Sequence, residues 1–86
     1  MFTLIWSDPA LDRLAEVYVV ATPEERARIA AGVQALNARL RSDPLNEGES
    51  RPGGWRLAFP PLLAVGFRVD TTTRTVRVTR VKRYGR

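Results

Sequence analysis

Two helix-start signatures set close together constrain this chain more than any other feature of it. "SDPAL" offers Ser7 or Asp8 as a cap, with Pro9 at an early helical position where its missing N–H costs nothing. "TPEER" repeats the device more fully, with Thr22 as N-cap, Pro23 at N1 and Glu25 at N3, a capping box. The first opens a helix with Leu11, Leu14, Tyr18 and Ala21 at helical spacing, and the second a helix with Ile29, Val33, Leu36 and Leu40 as its apolar stripe. Pro44 ends the second, because the residue before a proline avoids the helical region. With almost nothing between them the helices form an antiparallel hairpin, and its apolar stripes require a second layer.

Short alternating segments supply that layer. "FTLIW" sets Phe2, Leu4 and Trp6 against Thr3 and Ile5, and "WRLAF" sets Trp55, Leu57 and Phe59 against Arg56 and Ala58. "LLAVGFRVD" sets Leu63, Val65, Phe67 and Val69 against Ala64, Gly66 and Arg68. The first-named set of each is predicted to face the core. Pro60 and Pro61 cannot donate to a ladder and mark a connection. In "TVRVTRVKRY", Val76 and Val78 share a face but Val81 falls out of phase, which predicts a bulge near Thr79 and Arg80 that re-aims the basic side chains there. The expected fold is α+β, in the order β-α-α-β-β-β, with the helical hairpin packed on one face of an antiparallel sheet. At 86 residues it is one domain, 1–86, with no internal repeat.

With neither Cys nor His, the chain lacks a disulfide framework and the usual zinc and transition-metal ligands, so no metal or cofactor is expected. The start, "MFTLIWSDPAL", has no basic segment followed by a continuous apolar run, and no stretch is apolar enough to span a membrane, which predicts a soluble, cytoplasmic protein. The net charge of +5 is unevenly placed. Acidic residues fall mostly in the first fifty positions, whereas from Arg51 onward the cations are opposed only by Asp70. Such a half suits a polyanionic partner, either a nucleic acid or an acidic protein segment.

The stretch "GESRPGGWR" links the helical half to the cationic one, and Gly53 and Gly54 in it permit positive φ or a close backbone approach. The helices cover one sheet face only, so Ala64, Gly66 and Arg68 are expected to line a shallow outer floor rimmed by charge. Arg51, Arg56, Arg68, Arg80, Lys82 and Arg86 are the candidate nucleic-acid contacts, with Trp55 and Tyr84 as interspersed aromatics. The same cations, with Arg83, could hold the charge that develops in metal-free phosphoryl transfer from an RNA 2′-hydroxyl. Glu47 or Glu49 could serve as base and Tyr84 as acid, although without His such proton transfer depends on shifted pKa values.

The βαα opening, "SDPLNEGESR" after the second helix, the strand pair in "GGWRLAFPPLLAVGFRVD" and the closing "TVRVTRVKRYGR" together resemble the RelE/ParE toxin superfamily of bacterial type II toxin–antitoxin systems. The resemblance spans nearly the whole chain and rests on pattern and order. It implies a toxin that binds a small antitoxin, acidic or partly disordered, and that acts either on ribosome-bound messenger RNA, by binding or cleavage, or on DNA gyrase. A noncatalytic protein- or RNA-binding module of the same fold is the further alternative. In the RelE branch the middle of the last three strands carries an arginine that grips the scissile phosphate, and the matching position here is Ala64. Arg83 falls where that branch places a second phosphate-binding arginine, and Gly85 where some relatives place a catalytic His. The catalytic candidates are thus Arg83, Tyr84 and Glu49.

Overall fold

The computed structural model describes residues 1–85; the candidate contact Arg86 lies outside the described residues. The chain runs as β1 (Thr3–Trp6), α1 (Asp8–Val20), α2 (Pro23–Ser42), a single 3-10 turn (Pro44–Asn46), β2 (Glu49–Arg51), β3 (Trp55–Ala58), β4 (Leu63–Asp70) and β5 (Thr75–Arg83). Both helix starts are built as their sequences require. The Ser7 side chain accepts from the Ala10 N–H, and Thr22 and Glu25 form a reciprocal capping box.

The five strands lie in the order β1-β5-β4-β3-β2, and the helical hairpin packs on one face of them. The α+β arrangement is the one expected, with two differences. First, β1 pairs with β5 in parallel, Thr3 opposite Thr75 and Trp6 opposite Val78, so the sheet is mixed. Tight turns between β2, β3, β4 and β5 force those strands to alternate in direction, but the helical crossover between β1 and the rest imposes no such rule. Second, the crossover stretch itself supplies a strand. Glu49–Arg51 folds back on β3 across a Pro52-Gly53-Gly54 turn whose two glycines take φ of 90° and 80°.

The core lies between the hairpin and the inner sheet face. Ile29, Leu36 and Leu40 of α2 meet Leu63, Val65 and Phe67 of β4 and Val76 and Val78 of β5, all with no exposed surface. On α1 the buried positions are Ala10 and Val17, with Leu14 and Tyr18 half-buried, and Leu11 points to solvent. Leu14, Tyr18 and Ala21 thus pack on the core as predicted, while Ala10 and Val17 take the place expected of Leu11, because α1 packs chiefly along β5 and Ala10 is small enough for the close approach. Val33 of α2 is half-buried against the core. The bulge falls where Val81 requires it: Gly66 pairs with Arg80 and Phe67 with Val78, leaving Thr79 as the extra residue and returning Val81 to the core.

Candidate functional site

β3 has the opposite phase from the predicted one, and this decides what the outer face is made of. Arg56 pairs with Phe67, Leu57 with Gly66 and Ala58 with Val65. Directly opposed residues share a face, so Ala58 joins the core while Trp55, Leu57 and Phe59 line the outer surface. The predicted core role of those three is therefore overturned. Opposite Leu57 the outer face of β4 presents only Gly66, with Ala64 beside it, and this leaves room there for the large apolar side of β3. The Trp55 indole lies on Gly66, where an added Cβ would come within 2.8 Å of the ring. Over the ring sits the Arg80 guanidinium, 4.3 Å from its centroid.

Around this stack runs a groove of about 820 Å³. Trp55, Leu57 and Ala64 form its floor, Arg80 and Lys82 one side and Arg51 the other. Phe59 and Tyr84 stand at one end with ring centroids 4.9 Å apart, each about half exposed. The N-terminal part of α1 adds Pro9, Asp12 and Arg13. β1 ends opposite Val78 while β5 continues to Arg83, so α1 lies beside the part of β5 that has no strand neighbour on that side.

Of the predicted site residues, the fold brings together Arg51, Arg80, Lys82 and Tyr84 at the groove. Glu49 lies on the same face, and its carboxylate is engaged by Arg51 Nη1 at 2.9 Å. Three residues are elsewhere. Arg68 is on the outer face but further along β4, donating to the Gly53 carbonyl at 2.6 Å. Arg56 takes the inner phase of β3 and donates to the carbonyls of Glu47 and Gly48, tying the 47–48 loop to β3. Arg83 also takes the inner phase, opposite the buried Leu63, and donates to Glu25 at 2.8 Å. Glu47, the other candidate base, is paired with Arg39 at 2.8 Å. The Glu25 carboxyl is held below its usual value of 4.5, chiefly by the Arg83 hydrogen bond and then by the Thr22 N–H. Among the described residues no cluster of His, Cys, Asp or Glu is disposed to hold a metal ion, and no helix is long and apolar enough to cross a membrane.

Sequence reading did not foresee Arg13 and Asp12 as groove residues, since their place depends on where α1 lies against β5. Nor did it foresee Leu57 and Phe59; the glycine opposite Leu57 was the available signal, because a residue without a side chain in a central strand marks close approach by a neighbour.

No protein-family model matches the chain, and no curated protein does. Solved structures match it over nearly its whole length. A chain of the chromosomal ParDE toxin–antitoxin system of P. aeruginosa superposes with a TM-score of 0.75 at 20% identity, covering 99% of this chain and 98% of that one. A chain of the RelBE2 toxin–antitoxin complex of Mycobacterium tuberculosis superposes with a TM-score of 0.73 at 23% identity, covering 96% and 98%. This chain has the RelE/ParE toxin fold. Within that RelE/ParE frame Ala64 contributes only a methyl group to the groove floor, and Lys82 is its partner across the β4–β5 pair.

Proposed function

We propose that the chain is the toxin of a type II toxin–antitoxin pair, restrained by a cognate antitoxin, and that it acts by occupying its target through the outer groove without cutting RNA. One observation carries the second half of this reading. Neither position at which the resemblance implies a phosphate-gripping arginine sends a guanidinium into the groove: one is Ala64 on the floor, and the other, Arg83, turns to the helical layer and binds Glu25. Without oriented charge at the scissile phosphate, an RNA-cleaving site loses its largest source of transition-state stabilisation. A groove with an apolar floor and exposed aromatic rings at one end instead suits a macromolecular surface. DNA gyrase is then the favoured target.

A second reading keeps messenger RNA on the ribosome as the target, and the cations Arg13, Arg51, Arg80 and Lys82 around the groove favour it. Inducible expression in bacteria tests both. The expected result is growth arrest with no new messenger 5′ ends by primer extension on translating ribosomes, and inhibition of supercoiling by purified gyrase. Arrest accompanied by messenger cleavage would reverse the order of the two readings. Coexpression of a small acidic protein from a neighbouring reading frame should restore growth; failure to arrest growth at all would remove the toxin reading.

A further inference from the structure

Further along the outer face, away from the groove, β4 and β5 set two arginines directly opposite one another. Arg68 pairs with Arg77, both on the solvent side and both exposed. Like charges in this relation repel, with Cβ atoms only about 4.5–5.5 Å apart. The ion pairs among the described residues include neither of them. The carboxylate nearby, Asp70, caps the β4–β5 turn instead: its Oδ1 accepts from the Thr72 and Thr73 N–H groups at 2.9 and 3.1 Å. The charge of the cluster remains positive by one even with Asp70 counted. Arg68 is also held in place, since its Nη1 donates to the Gly53 carbonyl at 2.6 Å and leaves the other N–H groups of the fork free for a ligand. Both side chains line a depression of about 700 Å³ that also takes in Ile5, Gly54 and the β4–β5 turn.

We infer that this Arg68–Arg77 pair is a seat for a phosphate group. A phosphate presents at least two non-bridging oxygens bearing negative charge and, as the free ion, more, so it can bridge two neighbouring guanidinium forks and cancel their repulsion. A carboxylate brings one charge on two oxygens held by a single carbon, so it neutralises less of the pair than the phosphate dianion does, and polyglutamate serves as the competing probe. The phosphate can be the free inorganic ion or a phosphodiester of a nucleic-acid backbone. Neither arginine lines the groove, so the seat stands or falls separately from the proposed function.

The test is a titration of arginine-labelled protein followed through the side-chain Nε–Hε resonances, with inorganic phosphate, with an oligothymidine of about twelve nucleotides and with polyglutamate. Inorganic phosphate should move the Arg68 and Arg77 resonances together and to saturation, ahead of the neighbouring Arg74. In Arg77→Gln the affinity reported by Arg68 should fall by on the order of tenfold, the worth of a lost charge-assisted hydrogen bond. If the oligonucleotide saturates the same pair, and its log–log salt slope is smaller by about one in Arg77→Gln, a backbone phosphodiester is a ligand. If only the inorganic ion does so, free phosphate is the ligand. Uniform, unsaturating shifts of all arginines in the native protein would overturn the proposal. So would a response of the pair to polyglutamate and to neither phosphate probe.

Discussion

Gly66 shows how much of the outer face depends on one missing side chain. An added methyl would meet the Trp55 ring at 2.8 Å and the Arg80 Cβ at 3.1 Å, so the ring must shift away from β4. Gly66→Ala is expected to lower stability by roughly 1–3 kcal/mol, as overpacking does, and to shift tryptophan emission as the indole moves; urea unfolding and fluorescence check both. Glu25 is the residue whose titration matters to the fold. Its Oε1 closes the α2 cap by accepting from the Thr22 N–H, and its Oε2 accepts from Arg83 at the end of β5. Since these contacts depress its pKa from 4.5, the folded protein binds fewer protons than the unfolded chain in that range. The stabilising contribution is therefore present above the unfolded value and disappears as pH falls through the folded one. Thermal melts from about pH 6 to about pH 3 should show Arg83→Gln less stable than the native protein at the upper end, and the difference should shrink toward the lower end. A constant difference across that range would sink this account.

Among the elements, α2 is the one the core cannot lose. Leu36 is wholly buried in the stripe that runs from Ile29 to Leu40, in the same core as Phe67 and the β5 valines. Leu36→Ala removes methyl groups and leaves a cavity, at a cost of about 2–5 kcal/mol. A domain of this size commonly has little more to lose, so the variant should melt far below the native protein or fail to accumulate in folded form. An unchanged melting temperature would mean that the hairpin does not pack on the sheet as described. Trp6 of β1 adds an orienting contact at the same layer boundary, its indole N–H donating to Asn37 Oδ1 of α2 at 2.9 Å.

At the scale of the whole molecule, the sheet separates two jobs. Apart from Arg56 and Arg83, which bind structural partners, its inner face is apolar and closed by the helices, and its outer face carries cations over a floor of small and aromatic residues. The groove reading makes Arg80 and Lys82 the side chains that engage the target. An Arg80→Ala, Lys82→Ala double variant should therefore lose growth arrest. Its fold should survive, because the Arg80–Trp55 contact is worth about 0.5–1 kcal/mol, or up to about 8 °C in a domain this small. Expression trials with circular dichroism on the purified variant separate the two effects; full arrest by a folded double variant would place the working surface elsewhere.

The sequence by itself determined what local rules can reach. Both helix starts, the stop at Pro44, the α2 stripe and the bulge at Thr79 follow from caps, prolines and periodicity, which act over a few residues. The concentration of positive charge beyond Arg51 was also plain, and with it the expectation of an anionic or acidic partner. Only the tertiary structure decided which way β3 faces. Alternation names two sides of a strand without saying which is inside, and a larger apolar set on one side was a misleading guide when Gly66 left room for Trp55 outside. The direction of β1 was likewise beyond sequence reading, because a crossover through two helices permits either sense. For the site the consequence was larger. Arg56, Arg80 and Arg83 look equivalent in a list of cations, yet the pleat and the bulge send Arg80 to the groove and the other two to structural partners, since a strand places its side chains by phase and its neighbours set that phase.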